Sequence, residues 1–512
     1  MIHIALTKKN QVAGELVYSA LCRSFSRSQV RADGGALCRV IINPDDEDMD
    51  ILFSSEKKKI LLLGSLPPAI AQKLHVTTES IETLDSANAA CAPASIHSFR
   101  ESRLTIHYRA TLDSLELPLR ERALLRYDFM DEWNNLGYGA IPLDGSIWSL
   151  SQCISVPTAN VLADVTLNEN SVSAYAAIWN TDNTSILWFN RAVGPIDSAE
   201  WRLVEYFFSS FRHAELSCVP VLSEIPEGWD VAVTQRLDCD EDIASARALF
   251  ESYQSWSVPF SLAVQSSLLG KVEHTQLMFD VIESGGAILS HSDTHPVRWG
   301  GSYDIAFVEA TISSQKLHSV LNTPIRYAVS PFHQTPVCAL HALSDAGFDG
   351  CVGGIINCDP EFLMARGGVI SGIPPTFIGH SQSCMLHGDC LLSTGDALAA
   401  YKQAFDIAKR SRTLFGFLDH PFSERYAYGW ASESQRIDIH HQLINYIRSS
   451  GSVLFLNEND ALDFIRYKNG IELTEAHEGE WRYRLPEWRK QFEVVVEFKG
   501  RLMPLCKFGV LS

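Results

Sequence analysis

The stretch QRLDCDED, Gln235 to Asp242, ends an apolar run that begins at Val231 and sets four carboxylates within five positions. Side chains alternate between the two faces of a strand, so Asp238 and Asp240 point to one side and Cys239 to the other. Two neighbouring carboxylates repel, and one takes up a proton unless a cation lies beside them. The cluster also suits the start of a helix near Ile243, where negative charge is favoured. That accounts for Glu241 and Asp242 but leaves the two aspartates at the strand end unexplained.

Read outward, this run is the first of seven. The apolar runs Val231 to Asp238, Val258 to Val264, Gly286 to His291, Arg326 to Pro331, Gly350 to Ile355, Leu414 to His420 and Ser452 to Asn457 predict strands. Helical patterns alternate with them over Ala244 to Trp256, His274 to Glu283, Tyr303 to Leu321, Val337 to Ala346, Gly395 to Arg412, Glu433 to Ser449 and Asp460 to Tyr467. Repeated strand and helix units imply a parallel sheet covered by helices, either closed or open. A barrel is favoured, because Asp238, Asp240, His291, Pro331 to His333, Asp419 and His420 all fall at carboxyl ends of strands, which in a barrel meet at one mouth.

The flanks read differently. Residues 1–225 form an expected α/β accessory domain, with strands at Met1 to Leu6 and Lys59 to Gly64 and a helix-like segment Ala69 to Leu74. A hairpin joins Tyr175 to Trp179 and Ser185 to Phe189, and Asp197 with Glu200 opens a helix over Ser198 to Phe211. Neither a nucleotide fingerprint nor a nucleophile elbow is found there. The barrel is expected over 226–468. A β-rich extension follows over 469–512, with runs at Glu480 to Arg484 and Gln491 to Phe498 that could make a small hairpin.

A 512-residue chain with 46% hydrophobic and 20% charged residues is long enough for two or three folded units. Its formal net charge of −19 opposes binding to phosphate backbones or anionic lipid, so nucleic acid is not an expected partner. No stretch approaches the roughly 18 apolar residues of a membrane span, and the first residues lack a secretory pattern, so a cytoplasmic location is expected. The 12 cysteines are scattered, which suits reduced core thiols better than a disulfide framework.

His291 and His295 supply nitrogen ligands. Four residues apart, their imidazoles can reach one ion, although Ser292, Asp293 and Thr294 would equally make an ordinary loop of local turns. Joined with a carboxylate from the Asp238/Asp240 pair they give two nitrogens and one oxygen, leaving positions open for water as in catalytic zinc sites.

These residues carry a resemblance. From Val231 to about Ile465 the chain resembles the polysaccharide deacetylases of the NodB-homology type, carbohydrate esterase family 4, whose fold is a distorted (β/α)7 barrel. Asp238-Cys239-Asp240 is similar to the first motif and His291-Ser292-Asp293-Thr294-His295 to the second. Val329-Ser330-Pro331-Phe332 keeps the proline and aromatic of the third motif without its arginine, which Arg236 or Arg425 could replace. Asp349, Asp359 and Arg366 are candidates for the fourth, and Leu418-Asp419-His420 resembles the fifth. The layout is also similar to deacetylase-like proteins of surface-polysaccharide gene clusters.

The resemblance implies a divalent metal, zinc above all, on Asp240, His291 and His295. Asp238 becomes the base and His420 the acid, with an N–H near Phe332 facing the oxyanion. Substrate contacts are expected from Pro331, Phe332, His333, Leu418, Arg425 and Trp299. Each supporting residue has a plainer reading: His420 in a turn, His333 as a satisfied core histidine, Trp299 and Trp430 as core aromatics. The run His380 to Cys390 reads as a loop at the barrel mouth or, on its histidines and cysteines, a second metal site. The implied activity is removal of acetyl from an N-acetylated sugar or polysaccharide precursor. The alternatives are a catalytically impaired barrel that binds carbohydrate or serves assembly, and a metal-dependent amidohydrolase acting on a non-sugar ligand.

Overall fold

The computed structural model of the chain describes residues 1–32, 35–79, 104–109, 119, 122–123, 145–167, 169–353, 361, 364–392, 395–423, 426–477, 479–488, 492–505 and 509–511. The N-terminal part is built on a mixed sheet. Its strands lie in the order Val30–Arg31, Ile2–Ile4, Cys38–Ile42, Lys58–Leu63, Thr184–Phe189, Asn170–Asn180, Val161–Leu167, Leu104–Tyr108, Arg122–Ala123. The first five run parallel and the rest antiparallel, the change falling at the expected hairpin. Asp197 accepts from the N–H groups of Ala199 and Glu200 and so caps the helix Ser198–Ser209. That helix buries Trp201, Val204, Phe207 and Phe208 against the sheet.

The two runs expected to pair in the tail do not pair with each other. Glu480–Arg484 lies between Glu472–His477 and Val510–Leu511, whereas Val495–Phe498 lies between Arg501–Pro504 and Val221–Leu222. Trp481, Val496 and Phe498 are buried in the same apolar cluster as the N-terminal sheet. Alternation showed which tail residues turn inward but held no signal for the partner strand.

The repeating region forms a curled parallel sheet, the distorted (β/α) barrel expected. Its strands are β1 (Val231–Cys239), β2 (Ser261–Val264), β3 (Ala287–Ser290), β4 (Tyr327–Val329), β5 (Gly350–Gly353), β6 (Ile378–Ser381), β7 (Cys384–Met385), β8 (Phe415–Asp419) and β9 (Val453–Leu456). The helices are α1 (Arg247–Ser255), α2 (Val272–Glu283), α3 (Tyr303–Leu321), α4 (Val337–Asp345), α5 (Ala399–Ser411), α6 (Glu433–Ser449) and α7 (Glu458–Asn469). Each expected element has its counterpart, with ends moved by a few residues.

Closure differs from expectation. The strand read as seventh, β9, pairs only with the lower half of β1 over Val231 to Thr234, while β2 takes the upper half over Arg236 to Cys239. The place between β5 and β8 is filled by β6 and β7, which follow one another in the chain. Strand β6 lies parallel to β5 and β7 parallel to β8, and across the join Gln382 N–H donates to Gly353 O and Ser383 N–H to Gly416 O, both at 2.8 Å. This stretch is part of the run His380 to Cys390 read above as a loop. His380-Ser381-Gln382-Ser383 has no apolar alternation; its first two residues end β6 by backbone pairing and the other two link β6 to β7.

The interior is filled from below. Ala461, Leu462 and Ile465 of α7 pack against Ala232, Ala263, Leu289, Tyr327, Val329 and Val352 of the strands. The alanines leave room for the helix, and the mouth above stays open. Leu462 is fully buried in this plug. Leu462→Ala should therefore cost about 2–5 kcal/mol, measured as a lower denaturant midpoint by tryptophan fluorescence.

Candidate active site

Strand β1 sends two kinds of side chain in two directions. Leu237 and Cys239 join the outer core beneath the helices, and the alternate positions Arg236, Asp238 and Asp240 follow one another toward the mouth. Arg236 is fully buried. Its Nε donates to Asp238 Oδ1 at 2.5 Å and its Nη2 to Oδ2 at 3.2 Å, a two-pronged grip, while Nη1 reaches Gln382 Oε1 at 3.1 Å and Glu458 Oε1 at 3.5 Å. Burial by itself would raise the Asp238 pKa; the Arg236 charge, helped by His291, overrides it and holds the carboxyl well below the usual carboxylate range.

His291 follows β3 directly. Its Nδ1 lies 2.9 Å from Val329 O and its Nε2 3.1 Å from Asp240 Oδ1. The backbone carbonyl can only accept, so Nδ1 carries a proton and Nε2 is the nitrogen turned to the carboxylate. The turn that follows is as local as the plain loop reading expected: Ser292 and His295 both have positive φ, and His295 N–H donates to Ser292 Oγ at 2.9 Å. Glu309 on α3 accepts from the N–H groups of Asp293 and Thr294 at 2.9 and 2.7 Å. These turns aim His295 inward, placing its Nε2 3.6 Å from Asp240 Oδ1.

Three potential ligand atoms thus converge, all within 4.8 Å of one another, and among the described residues Asp240 Oδ1 is buried without a hydrogen-bond partner of good geometry. Facing lone pairs repel unless a cation stands among them, and a proton or a metal ion meets that need. Two imidazole nitrogens and a carboxylate oxygen suit a divalent ion such as zinc. With no ion, burial opposes protonation of His291, but Asp238 and Asp240 prevail and raise its pKa. Burial and the neighbouring His291 charge lower His295 to about 4.

His420 stands at the end of β8, its Nε2 3.6 Å from the other oxygen of Asp240. Its backbone is clasped on both sides: its N–H donates to Asp419 Oδ1 at 2.7 Å, and its carbonyl accepts from Arg436 Nη1 at 2.6 Å. Asp419 points away from the mouth into a buried chain, 2.9 Å from His440 Nε2, whose Nδ1 is 2.9 Å from the Tyr253 hydroxyl. His420 is therefore no free turn residue.

The cavity over these groups has a volume of about 400 Å³. Phe332 and His333 line it, both with positive φ, and the Phe332 ring lies 4.6 Å from that of His295. Burial, partly offset by Asp238, lowers His333 to about 3, which keeps it neutral. Pro331 is buried beside them. Leu418 is buried and does not line the cavity; Met385, its register partner on β7, does.

Other candidates lie elsewhere. Trp299 and Trp430 are packed into the outer apolar core, as their plainer reading had it, because large rings between strand and helix bury more area there than at the mouth. Asp349 pairs with Arg326 and Arg466, and buried Arg366 pairs with Glu205 of the N-terminal part. Arg425 and Asp359 lie outside the described residues. Among the described residues, Asp240, His291 and His295 are the one group with metal-ligand geometry, so His380 to Cys390 supplies no second centre there. Sequence reasoning missed Tyr426 and Tyr428, which line the mouth beside His420. An aromatic-rich stretch just beyond a strand-end histidine was the available signal.

No protein-family model matches the sequence, and no curated protein matches it. Among solved structures, a family 4 acetyl xylan esterase from Clostridium thermocellum in complex with a cobalt ion is 12% identical, over 45% of this chain and 90% of that one, with a TM-score of 0.30. A peptidoglycan deacetylase from Bacillus subtilis is 10% identical over 47% of this chain and 93% of its own, TM-score 0.30. A 4-alpha-glucanotransferase from Thermococcus litoralis is also similar, at 10% identity over 46% of this chain and 40% of that one, TM-score 0.35. What the site can do is set by its side chains rather than by the trace.

The grip on Asp238 has a measurable consequence. Its depressed pKa contributes stability that is present above the unfolded value of about 3.9 and lost as pH falls through the folded one. Arg236→Gln leaves a buried carboxylate without its counter-charge and should cost about 3–5 kcal/mol at pH 7. The deficit should narrow as pH is lowered from 7 toward 4, where the variant's Asp238 is protonated; denaturant melts across that range check the sign.

Proposed function

We propose that the chain is a metal-dependent deacetylase that hydrolyses the N-acetyl amide of an acetylated sugar or polysaccharide precursor in surface-polysaccharide biosynthesis. The observation that carries this reading is the meeting of Asp238, Asp240, His291, His295 and His420 around one cavity, two of them carboxylates of unequal surroundings. Asp240, His291 and His295 would hold the ion, zinc being the expected one. Bound there, a divalent ion acidifies water and polarises the acetyl carbonyl, which is what a base as weak as Asp238 requires.

The residues then divide the work. Asp238, kept ionised by Arg236, accepts a proton from the attacking water as its oxygen bonds to the acetyl carbon. The N–H of Phe332, at the cavity wall, faces the oxyanion that develops on the carbonyl oxygen. His420 Nε2 gives a proton to the nitrogen as the C–N bond breaks, leaving acetate and an amine. Arg236 supplies the charge that the third motif places elsewhere, with Gln382 and Glu458 steadying it from below. A cavity of about 400 Å³ suits a small ligand such as one sugar unit. A cytoplasmic setting fits the nine described cysteines, all free thiols. No described helix is long and apolar enough to cross a membrane.

Acetate release from N-acetylated sugars and oligosaccharides tests the reading. Zinc-loaded protein should release acetate, a chelator should abolish the release, and added zinc should restore it. Asp238→Asn should lower kcat at least 100-fold while one metal ion per chain is retained. Stoichiometric metal binding with no acetate released from any acetylated sugar would instead favour carbohydrate binding without turnover.

A further inference from the structure

His420 donates the proton in the reaction proposed above, yet its Nδ1 is buried and has no hydrogen-bond partner among the described residues. Among the described residues no carboxylate bonds to that nitrogen. What lies flat against it is Tyr428, with ring centroids 4.1 Å apart and planes 7° from parallel. The Tyr428 hydroxyl extends across the site and donates to Asp240 Oδ2 at 3.3 Å. That oxygen is turned from the metal-facing atom: His291 and His295 approach Oδ1, and His420 approaches Oδ2. One side chain therefore touches both the carboxylate ligand and the proton donor.

Its placement is built into the fold. Tyr428 has a φ of 47°, a left-handed conformation that non-glycine residues seldom adopt. Gly388 N–H donates to Tyr428 O at 3.0 Å, and a Cβ at Gly388 would stand 2.0 Å from the carbonyl carbon of Gly429. Only glycine lets the two segments come so close. Tyr426 meets the Tyr428 ring edge-on at 4.2 Å, and Trp430 Nε1 donates to Asp419 Oδ1 at 3.5 Å, tying the loop to the strand that carries His420. The part of the run His380 to Cys390 that follows β7 thus acquires a role, the presentation of Tyr428.

We propose, resting on the deacetylase reading, that Tyr428 is a positioning residue. Its hydroxyl holds the Asp240 carboxylate with Oδ1 toward the cation, and its ring sets the plane of His420. The test is titration of the metal-free full-length protein with cobalt(II), whose visible absorption reports the ligand set, in wild type, Tyr428→Phe and Tyr428→Leu. Acetate release is measured on the zinc-loaded forms. Tyr428→Phe keeps the ring and should bind cobalt about tenfold more weakly, with a changed spectrum. Tyr428→Leu should show the same loss of affinity together with a fall in kcat of about 10- to 100-fold at unchanged KM. Gly388→Ala, which displaces the loop without touching the site, should reproduce the Tyr428→Leu kinetics.

Cobalt affinity and spectrum unaltered in Tyr428→Phe, or kcat unaltered in Tyr428→Leu, would overturn the proposal while leaving the deacetylase reading in place. A wild type that takes up no cobalt would overturn both.

Discussion

Asp240 Oδ1 and the Nε2 atoms of His291 and His295 face one another inside the barrel mouth, three atoms able to share one cation. Among the described residues no well-aligned hydrogen-bond partner reaches Asp240 Oδ1. Such an arrangement persists only with positive charge at its centre, and much of the surrounding structure serves to hold it. Val329 O fixes the tautomer of His291, Glu309 fixes the turn that carries His295, and β1 delivers Asp240 on the inward parity of its alternation. Each device comes from a different strand or helix, so the site exists only in the folded chain.

The second acid lives under a different constraint. Asp238 is two residues from Asp240 on the same face, yet it is gripped by Arg236 and held ionised, while Asp240 faces His291 and His295. Paired carboxylates with unequal partners divide their tasks without any difference in side-chain chemistry. Arg236 can be buried there because the barrel interior is polar above and apolar below: Gln382 and Glu458 meet the guanidinium, and Leu462 and Ile465 close the floor. A hydrophobic interior filled to the mouth would leave that charge without partners.

Much of this was legible because it depends on local periodicity. The strands and helices of the repeating region, the inward parity of Asp238 and Asp240, and the spacing of His291 and His295 are properties of short stretches. What was not legible depends on partners distant in the chain. The polar stretch His380 to Ser383 closes the barrel largely through backbone hydrogen bonds to strands far away in the chain. Trp299 offered no mark to separate a core ring from a sugar platform, and it lies buried in the apolar core. Tyr428 reaches Asp240 across 188 positions, a juxtaposition made by the close passage of two glycines rather than by a motif.

The central claim is that a divalent ion sits among Asp240, His291 and His295 with Asp238 outside its ligand shell. Anomalous diffraction at the zinc edge from crystals grown with zinc measures this directly. The account predicts one peak about 2.0–2.2 Å from Asp240 Oδ1 and from both Nε2 atoms, with Asp238 still held by Arg236. A peak ligated by Asp238 in place of Asp240, or no peak in the barrel mouth at full zinc occupancy elsewhere, would contradict it.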